Sequence, residues 1–247
     1  MAATSAPIQR AGTVVLSLQE SLWPKLEKTS GNLANSKTAG FKRYITQTHE
    51  VKYNQPGHGN ISYADTRSAL DFSQGTLEQT QNQFDLAISG SGLFAFLSPD
   101  KGIVYSRDGQ LSMRNDGVLI NHVGDPILNN SDSAVTIPAT AKHVSIAADG
   151  TISTESGIIG KIQLVDFADK TNLAFIGEGY YKTEETGNPV DNPNIMQGFK
   201  EASNVNSITE ALVLVEIARL FENAQKVLED DAKRQSKVIN LSSTSGV

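Results

Sequence analysis

Near the C-terminal end of this chain, Ala211, Leu214, Ala218, Phe221, Gln225, Leu228, Ala232, Gln235 and Ile239 follow one another in strictly alternating three- and four-residue steps. That period keeps one face of a helix turned toward a neighbouring helix, and no strand can satisfy it. Ser207-Ile208-Thr209-Glu210, just ahead of the stripe, fits a capping box, so a long helix is predicted to begin there. A second amphipathic helix is predicted from Arg10 to Asn35, where Ala11, Val15, Leu18, Leu22, Leu26 and Leu33 recur mostly at helical spacing with charged and amide side chains between them. Pro24 interrupts it. A proline inside a helix removes a donor and crowds the carbonyl four residues earlier, at a cost of about 3 kcal/mol, which predicts a kink or break near Trp23.

Between the two ends the period changes from helical to two. Leu93 to Leu97, Ile103 to Tyr105 and Lys161 to Phe167 alternate as strands do, and Asp108-Gly109, Asp116-Gly117 and Asp149-Gly150 supply turns at short intervals. An antiparallel sandwich or irregular barrel is expected there. The stretch from Glu50 to Ser68 is polar and punctuated by Gln55-Pro56-Gly57 and Gly59, and reads as a long flexible connection. The expected class is therefore α+β: long N- and C-terminal helices form a coiled-coil-like helical domain around a central antiparallel β-rich domain. The expected divisions are residues 1–69 for the first helix and its connection, 70–198 for the β domain, and 199–247 for the C-terminal helix pairing with the N-terminal helical region. A seam of some 30 residues runs about 45 Å at 1.5 Å per residue, longer than a small β domain covers, which points to other copies as its partners. Both ends are then expected to be mobile in a free monomer.

Composition removes several functions. With a net charge of −6 the chain as a whole repels a phosphate backbone, so nucleic acid is not an expected partner. The longest apolar run, Ala211 to Val215, is far too short to span a bilayer, and no direct membrane insertion is expected. There is no cysteine, hence no disulfide and no thiolate chemistry. Met1 to Gln9 carries no lysine or arginine, so a secretory signal peptide is not apparent. His49, His58, His122 and His143 sit in separate segments with no metal-binding spacing. Asp108 and Asp116 precede glycine, where Asp is favoured by tight turns, and with Asp85 they are read as turn residues rather than an acid–base set. Gly90-Ser91-Gly92 precedes a strand-like segment instead of a helix, so it is read as a turn and not a phosphate loop. No nucleophile elbow, P-loop or zinc-protease motif occurs; no catalytic residue, cofactor or metal is nominated.

Asn32-Leu33-Ala34-Asn35 followed by Thr38-Ala39-Gly40-Phe41-Lys42 resembles the N-terminal signature of the bacterial flagellar rod and hook proteins, the axial family of the basal body. Asp85 through Phe94, Tyr105-Ser106-Arg107-Asp108-Gly109, and Gln197-Gly198 running into Glu201-Ala202-Ser203-Asn204-Val205-Asn206 are similar to further family motifs, in the family's order. Arg219-Leu220-Phe221-Glu222 ahead of Lys226-Val227 resembles its C-terminal helix. Departures are Pro24 inside a helix the family keeps continuous, Leu93 where an aromatic is common, and Ser106 in place of Thr.

The resemblance implies a non-enzymatic structural subunit of the periplasmic rod. It would be exported without a cleaved signal by the flagellar export apparatus, and would polymerise helically with copies of itself and other rod proteins to transmit torque. Total length, a short middle domain and the divergent early segment favour the proximal over the distal rod type. Stripes and motifs together nominate Leu18, Leu22, Asn32, Leu33, Asn35, Gly40, Phe41, Asn204, Asn206, Leu214, Ala218, Arg219, Phe221 and Leu228 as assembly contacts, with Phe41 placed outside the β domain. The rival readings are an oligomeric β module binding cell-wall carbohydrate, or a cell-wall hydrolase of scattered residues. Both need a concave pocket with convergent polar groups.

Overall fold

The computed structural model describes residues 6–55, 59–141 and 143–244. His58 and the Pro56-Gly57 punctuation lie outside them, as does the start of the chain through residue 5. The chain forms two compact units: residues 35–43 with 70–205 make one, and the helical ends with residues 44–69 make the other.

In the helical unit, α1 spans Ala6–Ala34 and α2 spans Ser207–Thr244. The helices pack on each other within the chain, with the Trp23 ring edge-on to Phe221 at 5.5 Å. Of the kink or break expected near Trp23, the break does not occur: α1 is continuous through Pro24. Glu20, whose carbonyl loses its partner, is exposed, and water can meet that oxygen at less cost than a buried site would impose. Residues 44–69 correct the expected flexible connection. They form a paired ribbon of two twelve-residue strands, β1 (Tyr44–Gln55) and β2 (Gly59–Leu70), held across by Thr48 and Thr66 hydroxyls 2.9 Å apart. Its Tyr, Ile, Thr and Val content is strand-forming, and the polarity that suggested a loop reflects strands whose side chains at residues 44–52 and 63–70 are all exposed or half-buried.

The expected coiled-coil-like helical domain is therefore not formed. Among the described residues there are only two helices, of 29 and 38 residues, and their unit includes a β-ribbon. The stripe was also misplaced by one residue at alternate steps. Leu214, Phe221 and Leu228 are half-buried as expected, but Ile217 and Ala224 are the buried residues between them, while Ala218 and Gln225 are exposed. The branched Ile217 removes more apolar surface than Ala218, and turning the helix to bury it leaves Ala218 outside.

The other unit is antiparallel at every strand pair described. Its largest sheet has six strands in the order Ala174–Phe175, Tyr180–Lys182, Gly102–Ser106, Leu93–Ser98, Leu164–Asp166, Asn188–Pro189. Leu93–Phe96 is buried on both faces: Phe94 and Phe96 enter a core with Ile88, Val104, Ile127 and Ile152, while Leu93 enters a second with Val165, Phe167 and Tyr181. Gly90-Ser91-Gly92 is the turn into that strand, as expected. Residues 35–43 and 199–205 belong with this β unit, and Phe199–Glu201 pairs with Leu77–Gln79.

The seam position is testable by denaturation followed through Trp23, the only tryptophan of the chain. Ile217→Ala is expected to destabilise the helical unit by about 2–5 kcal/mol, and Gln225→Ala to stay within about 0.5 kcal/mol. The reverse ranking would restore the stripe through Gln225.

Candidate functional site

A carboxylate sealed from water must be met by charge and donors, and Glu201 in the β unit is met on both oxygens. Its Oε1 accepts from Lys42 Nζ at 2.6 Å and from the Gly75 amide at 2.9 Å. Oε2 accepts from Arg107 Nε at 2.8 Å. The side chains of Lys42, Glu201 and Arg107 are 1%, 0% and 3% exposed, so all three charges are dry. Lys42 Nζ also donates to Ser73 O, and Arg107 gives three further hydrogen bonds to the carbonyls of Ile88, Gly90 and Gly92. Burial pulls the Lys42 ammonium below its ordinary pKa, with Arg107 pushing the same way and Glu201 opposing. Two cations on one anion leave a net positive centre, stabilised by backbone carbonyl dipoles.

The segment around Lys42 is bound at each residue. Gly40 has φ +68° and donates to Glu201 O, and a Cβ there would lie 2.3 Å from the Asp108 amide nitrogen. Only glycine meets both conditions. Phe41 is buried edge-on to Phe175 at 5.4 Å, so it lies inside the β unit and not outside it as expected. The Lys42 amide donates to the Tyr181 hydroxyl, and Asn204 accepts from the Arg43 amide while donating to Asp71 O and Ser73 O. Asn35 follows the end of α1 and accepts from the Thr38 amide and hydroxyl.

In the helical unit Asn32 has the same fastening role. Its Oδ1 accepts from the Tyr44 amide, and Nδ2 donates to Tyr44 O and to the Glu210 carboxylate. Asn206, not Ser207, caps α2: its Oδ1 accepts from the Ile208 and Thr209 amides. Leu22 is buried, Leu33 half-buried, and Leu18, Ala218 and Arg219 are exposed. The nominated residues thus do not form one cluster. Leu18, Leu22, Asn32, Leu33, Asn206, Leu214, Ala218, Arg219, Phe221 and Leu228 lie in the helical unit, while Asn35, Gly40, Phe41 and Asn204 lie in the β unit.

Sequence reasoning assigned no role to Lys42, Arg107 or Glu201, though each stood in a quoted motif. The signal was available as a lysine, an arginine and a glutamate spread over three motifs, with signs that can pair.

The β unit has a depression of about 250 Å³ lined by Phe72, Gln74, Gly92, Arg107, Asp166 and Lys170 among others. Its polar side chains are engaged by protein groups: Gln74 with Ile88 O and the Gly90 amide, Asp166 with Lys170. Among the described residues no three His, Asp or Glu side chains are grouped to hold a metal, and no helix is long and apolar enough to cross a membrane. Asp108 and Asp116 take the expected turn roles, accepting from the Gln110 and Val118 amides. Asp108 is buried, which pushes its carboxyl above 3.8.

Residues 87–154 match the model of the flagellar hook protein FlgE/F/G D1 domain, and residues 196–241 match that of the flagellar basal body rod FlgEFG protein C-terminal region. The flagellar basal-body rod protein FlgF of Caulobacter vibrioides is 32% identical across 89% of this chain and 92% of its own. FlgF of Mesorhizobium japonicum is 30% identical across 92% and 95%. The rod protein FlgG of Buchnera aphidicola from Acyrthosiphon pisum is 29% identical across 86% and 92%. The chain belongs to the flagellar basal-body rod protein family.

Two measurements probe the β unit. Glu201→Gln leaves Lys42 and Arg107 buried without a counter-charge and is expected to cost about 3–5 kcal/mol. Lys42→Met leaves the Glu201–Arg107 pair intact and should cost less in the same near-ultraviolet dichroism melt; equal losses would argue against Glu201 as the centre. Asp108 has its pKa raised by burial, so the folded state holds its proton above pH 3.8 and its contribution to stability falls as pH rises through that raised value. Asp108→Asn keeps the acceptor for the Gln110 amide and stays neutral. Its melting temperature relative to the unaltered chain should therefore climb from pH 3.5 toward neutrality; a difference that is constant with pH would contradict this.

Proposed function

We infer that this chain is a structural subunit of the flagellar basal-body rod. The observation that carries the reading is the near full-length similarity to FlgF, which takes in all three segments supplying Lys42, Arg107 and Glu201. The subunit assembles with other rod proteins and with copies of itself, is non-enzymatic, and transmits torque through the packed contacts of its helical unit. Support for a non-catalytic role comes from the polar groups of the β unit, which serve turns, backbone bracing and the ion cluster. Leu18, Ala218 and Arg219 are the nominated helix contacts exposed enough to meet a neighbour. Asn32, Gly40, Phe41 and Asn204 act earlier, by fixing the chain that presents them.

Its length and short middle domain favour the proximal rod type. Membership of the rod protein family supports delivery to the periplasm by the flagellar export apparatus. Deleting the gene is expected to abolish swimming and rod completion, and a tagged copy that restores both should be found in purified basal bodies at the rod. Full motility of the deletion strain, or a tagged chain absent from basal bodies, would overturn the reading.

A further inference from the structure

α2 carries two apolar faces, and among the described residues only one is covered. Leu214, Ile217, Phe221 and Ala224 lie on the side that is buried or half-buried. Ile208, Leu212 and Val215 are 74%, 66% and 51% exposed, and at 100° per residue they point about 170° away from that side. Arg219 is the next residue on the same bare ridge and is also exposed. Three branched side chains in one row, so open to water, have no use in the folded monomer and mark a contact surface.

The same unit contains a receptor for such a ridge. Val14 and Leu18 of α1 with Tyr63 and Ala64 of β2 line an apolar groove of about 320 Å³, and Glu50 of β1 stands in its lining beside Thr48 and His49. Val14, Leu18 and Tyr63 are each more than a third exposed. The groove is concave, apolar and bordered by an acid, and the ridge is convex, apolar and ends in a base.

We propose, resting on the rod-subunit reading above, that the α2 ridge Ile208-Leu212-Val215 of one copy of this chain seats in the groove between α1 and the ribbon of a second copy, with Arg219 placed against Glu50. Ridge and groove are different surfaces, so the contact is heterologous: each copy keeps one of each free, and the contact propagates along an open line instead of closing a dimer. A row spanning 208 to 215 is about 10 Å long at 1.5 Å per residue, two turns of helix, which suits a short groove. The charge pair fixes the direction in which the ridge lies, since reversing it would bring the start of the ridge to Glu50.

The chain has no cysteine, so single cysteines report the contact directly. Leu18→Cys and Leu212→Cys variants of the full chain are mixed at high concentration under mild oxidation. A disulfide needs Cα atoms within about 7 Å, and the mixed pair is expected to cross-link at least about tenfold more than either variant alone. Glu50→Arg in the Leu18→Cys chain should lower the yield roughly two- to fivefold, and Arg219→Glu in the other chain should restore it. Dominant cross-linking of Leu212→Cys with itself, yields no higher in the mixture than in the single variants, or charge reversal without effect would each overturn the pairing. Failure of the cross-link with the chain present in basal bodies sinks this contact alone, whereas absence of the chain from basal bodies sinks the subunit reading.

Discussion

The Glu201 carboxylate is the point on which the β unit closes. It lies on a strand near the end of that unit's sequence, yet its two oxygens reach Lys42 near the beginning and Arg107 in the middle. Truncating Glu201 strands both cations in a dry site, so the cluster ties three distant stretches of chain to a single arrangement. A hydrophobic core tolerates small slips in packing. Four directed bonds, three onto the Glu201 carboxylate and one from the Lys42 ammonium to Ser73 O, do not, and that difference makes the ion cluster a device for register more than for raw stability.

The backbone around the cluster is shaped to the same end. Gly40 admits the Asp108 backbone at a distance no Cβ would allow, Phe41 fills the gap beside Phe175, and Asn204 takes up groups of residues 43, 71 and 73. Gly75 performs the matching service from the other side: a Cβ there would collide with the Ala202 carbonyl, and its amide is a donor to Glu201. Glycine, amide and aromatic residues of the family signature thus act first on the fold of this chain. Whatever contacts the subunit makes in a rod depend on surfaces these residues hold in place.

How much of this could be read from the sequence follows the physics of each signal. Leu93 to Leu97 and Ile103 to Tyr105 were legible because alternation and a flanking turn act within a few residues, and both became strands. The ribbon was not, because strands with polar exposed faces lack the apolar alternation on which recognition depends. On α2, Leu214, Phe221 and Leu228 were placed on the right side, but a strict three-and-four count passed over Ile217 for Ala218, although the larger side chain gains more from burial. The ion cluster failed for a related reason. Lys42, Arg107 and Glu201 are scattered over most of the chain, and a charged residue in sequence reads as a surface residue until its partner is located.

The ribbon poses a stability question that its own residues do not answer, since two strands alone are marginal in water. Its base is fastened to α1 at three places. Asn32 brackets the Tyr44 amide and carbonyl, Lys28 sits 4.8 Å from the Tyr44 ring centre, and the Thr66 hydroxyl donates to the Ser21 carbonyl. A one-residue slip of β2 would carry Thr66 to the opposite face of the ribbon and break the bond to Ser21. Helix α1 therefore sets the register of a ribbon too polar to set its own, and Asn32, which also donates to Glu210 in the first turn of α2, couples that register to the helix pair.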